Sequence, residues 1–445
     1  MRGRVQHWLR AMLLGSAAAV VGMPLEGLAD VTAEDGGLAD VTGEDGTSGL
    51  VASNLSIIDI DRYNDFEDLD TEGVINVARR THDGWNLRGY INGGFMGNTD
   101  NPRSGFNGPY NAIDLANQAA MNQLYFIAEN GLPTHGTGLG GRFDVMFGED
   151  YELAQSRGWE WEPNGADGWN NGYYGVATPQ MYVNVGSQQL NLQAGHFYSV
   201  VGYEGLMAVD NFFYSKSYSY QFAGPFQHWG TQLNYHPSDA WTINAGLVNG
   251  WNALDRVGDT VHFIGRVRYD NKPARSWTSF AIVTGNEFNN VANIAGIDEA
   301  NTNRTRYSWL VGLPITSRID YVFHHWLGFQ EAGYLNGERA DWFGIDQYLT
   351  YRINSRWRAG LRGEWFNDEE GTRVGLHRQV NPNIPPFPGE FYSTAIGLNY
   401  TPNRAMTFRP EIRADWYDGS APRLPFDDGV SDNQLMLGFD AILLF

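Results

Sequence analysis

The sequence predicts an all-β protein: a single antiparallel transmembrane β-barrel of about sixteen strands, with long external loops and short periplasmic turns. Three patterns lead to this prediction. Apolar and polar residues alternate over stretches of about ten positions, short and long connections alternate along the chain, and aromatic residues cluster near strand ends. The composition agrees, since 54 of 445 residues are glycine and 14% are aromatic, a balance typical of β structure.

Charge and cysteine content exclude several classes of protein. Asp and Glu outnumber Lys and Arg by 51 to 30, giving a formal net charge of −21, which argues against nucleic acid as a binding partner. The chain has no cysteine, so disulfides, thiolate metal sites, iron–sulfur clusters and cysteine nucleophiles are excluded. It also lacks the run of about 18 apolar residues that a transmembrane helix needs.

The beginning of the chain has the pattern of a secretory signal peptide, predicted at 1–29. Three arginines within the first ten residues form a basic start, and an apolar stretch follows from 11 to 23. Such a stretch is too short for a membrane anchor and is typical of an export signal. A decapeptide repeat, GLADVTAEDG followed by GLADVTGEDG, offers cleavage after Ala29 or after Ala39.

An acidic N-terminal leader is predicted at 30–84. Between Asp30 and Asp83 the chain has 14 acidic residues and three arginines. Its low apolar content predicts a partly disordered segment. Charge blocks are usually solvated, so a tether is the simplest interpretation. The alternative is a periplasmic interaction segment or a plug that enters the barrel.

The barrel itself is predicted at 85–445, where alternation with a period of two dominates. Between 406 and 416, for example, Phe408 and Ile412 fall in one phase, whereas Arg409 and Arg413 fall in the other. Strands with one apolar face are typical of this pattern. The predicted strands are 85–95, 123–130, 138–147, 180–187, 190–199, 228–236, 241–249, 260–269, 276–284, 306–314, 317–328, 341–352, 356–366, 391–401, 404–415 and 432–445.

The connections between these strands alternate in length. Seven short turns and eight long loops result, and the longest loops are 96–122, 148–179, 200–227, 285–305, 367–390 and 416–431. An even-stranded transmembrane barrel requires this rhythm, with both termini on the short-turn side. A soluble sandwich would also alternate apolar and polar residues, but it has no reason to alternate its loops. Aromatic residues such as Trp241, Trp357 and Tyr400 lie near strand ends, as interfacial girdles would.

Arginine is the residue type that points to a function. Only two of the 30 basic residues are lysine. A charge facing lipid would cost about 2–4 kcal/mol at the midplane of the bilayer, so charges on strands must face the lumen. They could brace the barrel through arginine–carboxylate pairs, or create a transverse field at a constriction; both interpretations stay open. The pore-lining candidates are Arg266, Arg268, Arg352, Arg358, Arg362, Glu364, Arg409, Glu411, Arg413 and Asp415.

One long loop is a candidate for the constriction of the lumen. The segment from Val200 to Phe226 is rich in tyrosine and serine, and its length would allow it to fold into the barrel. The constriction candidates within it are Phe212, Tyr214, Lys216, Tyr218 and Tyr220.

The same region carries a resemblance to a known family. Its sequence reads AGHFYSVVGYE from Ala194, NFFYSKSYSY from Asn211 and GPFQHWG from Gly224. These motifs resemble the OmpL-like β-barrel porins of bacterial outer membranes, and the resemblance covers about Trp85 to Phe445. It implies an outer-membrane porin for passive diffusion of small hydrophilic solutes or ions, without catalytic residues or cofactor. Contact with outer-membrane lipids and a homotrimer are further implications at the level of the family.

Motifs for other functions are weak or missing. A formal GxGxxG at 136–141 precedes a strand rather than a helix, which favours a turn over a dinucleotide site. No GxSxG, HExxH or Walker A sequence occurs, so we expect neither an enzyme nor a metal site. The acidic, tryptophan-rich loop from Trp159 to Asn171 could be a surface loop, a hard-cation ligand or a sugar-stacking site. The alternative function is a structural or adhesin barrel with a closed lumen.

Overall fold

The computed structural model describes residues 84–161, 170, 172–255, 261–287, 302–332, 337–375 and 387–445. All of them belong to one compact unit of the chain. The predicted signal peptide, and the predicted leader up to residue 83, lie outside the described residues.

Seventeen strands form one antiparallel sheet in the described part of the chain. They are β1 (Asn86–Asn98), β2 (Gln118–Asn130), β3 (Gly138–Gly148), β4 (Gly175–Ala177), β5 (Met181–Gly186), β6 (Leu190–Tyr198), β7 (Gln227–Ser238), β8 (Trp241–Val248), β9 (His262–Asn271), β10 (Ser276–Asn286), β11 (Asn303–Pro314), β12 (Ile319–Gln330), β13 (Ala340–Arg352), β14 (Trp357–Asp368), β15 (Gly389–Asn403), β16 (Met406–Gly419) and β17 (Asn433–Leu444).

The sheet closes on itself, and its seventeen strands occupy sixteen positions around the barrel. β1 pairs with β2 on one side and with β17 on the other. β4 and β5 both pair with β3, β4 near one end of it and β5 near the other. Between them the backbone N–H of Asp144 donates to the carbonyl oxygen of Gln180 at 2.8 Å. The predicted fold class, a closed antiparallel barrel of sixteen strands, is confirmed.

The connections of the barrel alternate between two rims. The short-turn rim carries seven connections, at 131–137, 187–189, 239–240, 272–275, 315–318, 353–356 and 404–405. The opposite, long-loop rim carries eight, at 99–117, 149–174, 199–226, 249–261, 287–302, 331–339, 369–388 and 420–432. Both ends of the sheet, the start of β1 and the end of β17, lie at the short-turn rim.

Side chains of the wall separate by phase. Along β16, Phe408 and Ile412 point outward and expose 41% and 49% of their surface, whereas Arg409 and Arg413 point inward and are buried. Aromatic pairs lie at the short-turn rim, including Trp357 against Tyr400 with ring centroids 4.5 Å apart. The wall is therefore apolar outside and polar inside, as the alternation in the sequence predicts.

The helices of the described residues are few and short. α1 (Tyr151–Ala154) lies in one long loop and α2 (Tyr218–Phe222) in another. The side chain of Ser217 caps α2 by accepting a hydrogen bond from the backbone N–H of Tyr220, which satisfies one of the free donors at a helix start. Across the part of the chain described here, no helix is long and apolar enough to cross a membrane.

Candidate functional site

The connection 199–226, which we call the inward segment, folds into the inside of the barrel. It follows β6 and carries α2. The indole N–H of Trp342 on β13 donates to the carbonyl oxygen of Ala223 at 2.9 Å. From the other side of the barrel, the side-chain amide of Gln123 on β2 donates to the carbonyl oxygen of Leu206 at 2.9 Å. The segment therefore reaches across the lumen between distant strands.

Arg362 of β14 holds the middle of the inward segment. Its guanidinium lies 2.9 Å from the carboxylate of Glu204. It also donates to the carbonyl oxygen of Ser215 at 2.7 Å and to the hydroxyl of the same residue at 2.9 Å. The Arg362 side chain is fully buried and that of Glu204 is 6% exposed. Charge-assisted bonds of this kind are about twice as strong as neutral ones.

Two arginines of β16 continue this arrangement. Arg409 donates to Asp440 of β17, with Nε at 2.8 Å from the carboxylate. Arg413 lies 2.8 Å from Asp415 and donates to the carbonyl oxygen of Lys216 at 2.6 Å. Each guanidinium thus pairs with a carboxylate of the wall, and each also donates to backbone carbonyl oxygens of the inward segment.

Carboxylates of the wall take hydrogen bonds from serines of the inward segment. Glu411 accepts from both the backbone N–H and the hydroxyl of Ser215, the former at 3.1 Å. Glu364 accepts from the backbone N–H of Ser219 at 2.7 Å, and Asp346 accepts from its hydroxyl at 2.6 Å. We call the whole set the bracing network: Glu204, Ser215, Ser219, Asp346, Arg362, Glu364, Arg409, Glu411, Arg413, Asp415 and Asp440.

The structure brings six of the ten pore-lining candidates into the bracing network: Arg362, Glu364, Arg409, Glu411, Arg413 and Asp415. The other four lie elsewhere on the inner wall. Arg266 is buried and donates to Asn244 at 2.9 Å. Arg268 is half-buried, and Arg352 and Arg358 face each other across β13 and β14 near the short-turn rim. Their role in lining a pore stays a prediction.

All five constriction candidates lie in the inward segment. The ring of Phe212 lies against Gly360 of β14. The hydroxyl of Tyr214 donates to the side chain of Asn122 at 3.2 Å. The ammonium of Lys216 donates to the carbonyl oxygen of Gly205 at 2.7 Å. Tyr218 packs against Tyr110 and Phe391, and Tyr220 packs against Phe226.

Burial changes the acidity of charged groups on the inward segment. Burial lowers the pKa of Lys216 to about 8, because the charged ammonium loses water. Burial likewise raises the pKa of Asp210 to about 6. Burial also raises the pKa of Glu204, but the nearby Arg362 and Lys216 outweigh it and hold this pKa below its ordinary value. Partners therefore determine which carboxylate of the segment stays ionised.

On the opposite side of the barrel lies a neutral surface that we call the amide wall: Asn191, Gln193, Gln232, Asn234 and Asn244 of β6 to β8. The amide nitrogen of Asn234 donates to Asn191 at 3.0 Å and to Gln193 at 3.3 Å. Its amide oxygen accepts from Gln232 and from Asn244, both at 2.7 Å. All five side chains are buried, and these hydrogen bonds run within the wall itself.

The sequence prediction missed three arginines inside the long-loop half of the barrel. They are Arg304 and Arg306 on β11 and Arg373 in the connection 369–388. The strand predicted there begins at 306, so Arg304 was placed in a loop. The spacing of two between Arg304 and Arg306 was the available signal, since it puts both side chains on one face of a strand.

Histidines and acidic residues of the described chain form no metal site. Within the described ranges, no group of three or more His, Cys, Asp or Glu side chains could hold a metal ion. The neighbours His324 and His325 point to opposite faces: His324 is buried against Ser308, whereas His325 lies against the ring of Tyr307. Most of the predicted cation or sugar loop, 162–169 and 171, lies outside the described residues.

Comparison with known proteins agrees with this geometry. Residues 84–445 match the family model described as "Putative beta-barrel porin-2, OmpL-like". The chain belongs to this porin family. The resemblance seen in the sequence is therefore confirmed. No curated protein matches the chain.

Several solved porin structures share the fold of this porin-family member. The outer membrane channel DcaP of Acinetobacter baumannii has 13% identity and a TM-score of 0.54, over 81% of this chain and 97% of DcaP. OprB of Pseudomonas putida has 12% identity and a TM-score of 0.52, over 81% of this chain and 94% of OprB. An anion-selective porin of Comamonas acidovorans has 9% identity and a TM-score of 0.51, over 81% of this chain and 99% of that porin. At such identities the likeness shows the fold alone.

Proposed function

We propose that this protein is an outer-membrane porin that lets small hydrophilic solutes or ions diffuse passively through a charged aqueous lumen. The observation that carries the proposal is the inward segment held against charged side chains inside a closed barrel. A barrel of sixteen strands leaves room for an aqueous channel, so a segment folded into it sets the size of the passage. No catalytic step and no cofactor are part of this function.

Family membership and the apolar outer face support the location. The family is one of porins, and the outward side chains, such as Phe408 and Ile412, are apolar. Only a closed barrel satisfies all backbone hydrogen bonds of strands in lipid. We take this face to be covered by outer-membrane lipids, and by neighbouring copies where the protein forms the homotrimer that the resemblance implies.

The charged lining supports passage of polar solutes. A ring or wall of charged side chains at a narrow point selects permeating ions by sign and size. The bracing network puts arginines and carboxylates next to each other along the inward segment. A solute that passes beside the inward segment experiences the field of these charges, because buried charges are screened weakly by water.

A second candidate function is a structural or adhesin barrel with a closed lumen and its function in the external loops. One observation favours it: the side chains of Arg362, Glu364 and Arg413 are fully buried. The bracing network could then serve only to fix the inward segment as a plug. Conductance separates the two functions.

The test is single-channel recording in planar bilayers with refolded protein that lacks residues 1–29. We expect discrete conductance steps, and a reversal potential in a salt gradient that reports the preferred ion. Heat-modifiable migration on gels and circular dichroism establish that the protein is folded. Folded, inserted protein that never conducts would reject the porin function and favour the closed barrel.

A deletion tests the role of the inward segment. Removal of Phe212–Tyr220 should raise single-channel conductance several-fold, because these residues lie across the lumen. The matched control is a deletion of 421–425 in the connection 420–432, which lies at the rim of the barrel. Equal conductance of the two variants would show that the segment does not limit the passage.

A further inference from the structure

Arg306 of β11 is an inward-facing arginine enclosed by the inward segment. Its side chain is 3% exposed. Its guanidinium lies so close to Gly224 that a Cβ added to that glycine would lie 2.0 Å from Nη1, and a Cβ on Gly202 would lie 3.8 Å from Nη2. The ring of Trp326 is 5.8 Å from the guanidinium carbon. Both glycines belong to the sequence motifs, GYE and GPF, that carry the family resemblance.

Arg306 lacks the carboxylate partners that the arginines of the bracing network have. Its buried Nε has no hydrogen-bond partner, and no carboxylate of the described chain lies within 4.0 Å of its guanidinium. Arg362, Arg409 and Arg413 differ, since each pairs with a carboxylate. A guanidinium has five N–H donors, and a buried cation without a partner is costly. A hydrogen-bond acceptor bound to this guanidinium would therefore stabilise the buried charge.

A cavity of about 50 Å³ adjoins this guanidinium, large enough for several water molecules. The ring of Tyr220 also lines it, and the buried hydroxyl of Tyr220 has no hydrogen-bond partner either. The carboxylates of Glu204 and Asp210 reach the same cavity. Glu204 is already bound by Arg362 and by Ser217. The guanidinium of Arg306 thus lies beside a partly open cavity, and Tyr220 is another of the residues that line it.

Two further arginines add positive charge beside Arg306. Arg373 donates to the carbonyl oxygen of Phe222 at 2.8 Å, and burial, followed by the charges of Arg304 and other neighbours, lowers its pKa to about 9. In the described ranges, Glu287 is the carboxylate within ion-pair distance of these three arginines, 3.8 Å from Arg304. Asp346 and Asp368 act on Arg306 and Arg373 from beyond ion-pair distance, so Arg306 itself has no directly paired carboxylate.

We propose that Arg306 binds a small oxyanion such as a carboxylate, phosphate or sulfate group inside the barrel. The inference rests on the proposed porin function and names its solute class: small anions that enter through the lumen. The planar fork of a guanidinium matches two oxygens of such a group. Arg304 and Arg373 attract the anion by charge, whereas Arg306 donates hydrogen bonds to its oxygens.

The test is calorimetric titration of inorganic phosphate, and separately of succinate, into the refolded full barrel in non-ionic detergent. We expect saturable binding of at least one anion, weakened at least tenfold in Arg306→Gln and less in Arg306→Lys. The matched control is Arg275→Gln, an exposed arginine in the turn 272–275 that pairs with Asp320; its affinity should equal that of the parent. Absent binding, or binding that Arg306→Gln leaves unchanged, overturns the proposal.

Bilayer recording separates this inference from the porin function. If the parent conducts but binds neither anion, the porin function stands and the oxyanion site is rejected. If it binds an anion through Arg306 but never conducts, the site stands and the porin function is rejected. In a conducting channel, Arg306→Gln should shift the reversal potential toward cation preference and abolish block by the bound anion. Heat-modifiable migration of each variant confirms that it is folded.

Discussion

The two sides of the inner wall hold their polar side chains in different ways. In the bracing network, charges of β13 to β17 bind the inward segment, as Arg362 does through Glu204. In the amide wall of β6 to β8, neutral side chains bind one another, as Asn234 does with Asn191. Charged side chains thus fix the inward segment to the wall, whereas amide side chains hydrogen-bond one another within the wall.

This difference has an energetic consequence. Charges taken out of water must be paired, and removing one partner leaves the other uncompensated, at a cost of about 3–5 kcal/mol. A neutral amide that loses a partner costs about 1–3 kcal/mol. The two sides should therefore respond unequally to truncation, both in stability and in conductance. Variants on the two sides test that expectation.

Arg362→Ala should have the largest effect. It leaves Glu204 without its 2.9 Å partner and frees the carbonyl oxygen of Ser215. We expect a loss of about 3–5 kcal/mol in the free energy of unfolding, measured by urea unfolding in lipid vesicles. Released from β14, the inward segment should also make single-channel current noisier and larger.

A double-mutant cycle provides the control for Arg362→Ala. Glu204→Gln removes the buried charge, so the double variant should recover part of the lost stability. Additive losses would mean that Arg362 and Glu204 do not interact in the way that their geometry indicates. The cycle would then remove the reason for distinguishing the bracing network from the amide wall.

Asp210 is a carboxylate of the inward segment that forms no ion pair within the described chain. Burial raises the pKa of Asp210 from an ordinary 3.8 to about 6, so the folded state holds the proton more tightly than the unfolded state. The free energy of unfolding therefore falls as the pH rises from about 4 to 6. Above pH 6 the ionised carboxylate lowers it by at most about 3 kcal/mol. Asp210→Asn should stabilise the barrel at pH 7.5.

The pH dependence is what distinguishes this prediction from a simple change in packing. The gain of Asp210→Asn should vanish at pH 4, where both the parent and the variant are neutral at this position. Urea unfolding of both proteins at pH 4, 6 and 7.5 measures it. A gain that is equal at all three pH values would assign the effect to packing rather than to charge.

The direction of each side chain could be predicted from the sequence, but its partners could not. Alternation alone places Arg409 and Arg413 inside, because neighbouring strand residues face opposite sides. Arg362 and Glu204, however, are 158 positions apart in the chain. Their contact depends on the path of a loop, and no periodicity encodes that path.

Strand boundaries limited the prediction in a second way. Arg304 lies within β11 and was missed because the predicted strand started two positions later. The stretch at β4 pairs with β3 over three residues only, too few for alternation to become visible. Functional side chains near strand ends are therefore the ones that a pattern in the sequence finds least well.

Gly360→Ala tests the apolar part of the contact between wall and inward segment. An added Cβ would lie 2.2 Å from the ring of Phe212, so the segment must move, at a cost of about 1–3 kcal/mol. The matched control is Gly397→Ala on β15, directly opposite Gly360, where the added Cβ would lie 3.2 Å from Phe213. Conductance should change more in the first variant; equal changes would contradict a tight contact at Phe212.

Asn234→Ala should have the smallest effect, because it breaks only neutral hydrogen bonds. The amide of Asn234 contacts four partners: Asn191, Gln193, Gln232 and Asn244. Water that enters the space can replace some of these bonds, so we expect a loss of about 1–2 kcal/mol in urea unfolding. Single-channel conductance should stay within a few tenths of the parent value, since the inward segment keeps its charged partners. A change in conductance as large as that of Arg362→Ala would mean that the amide wall, too, positions the segment.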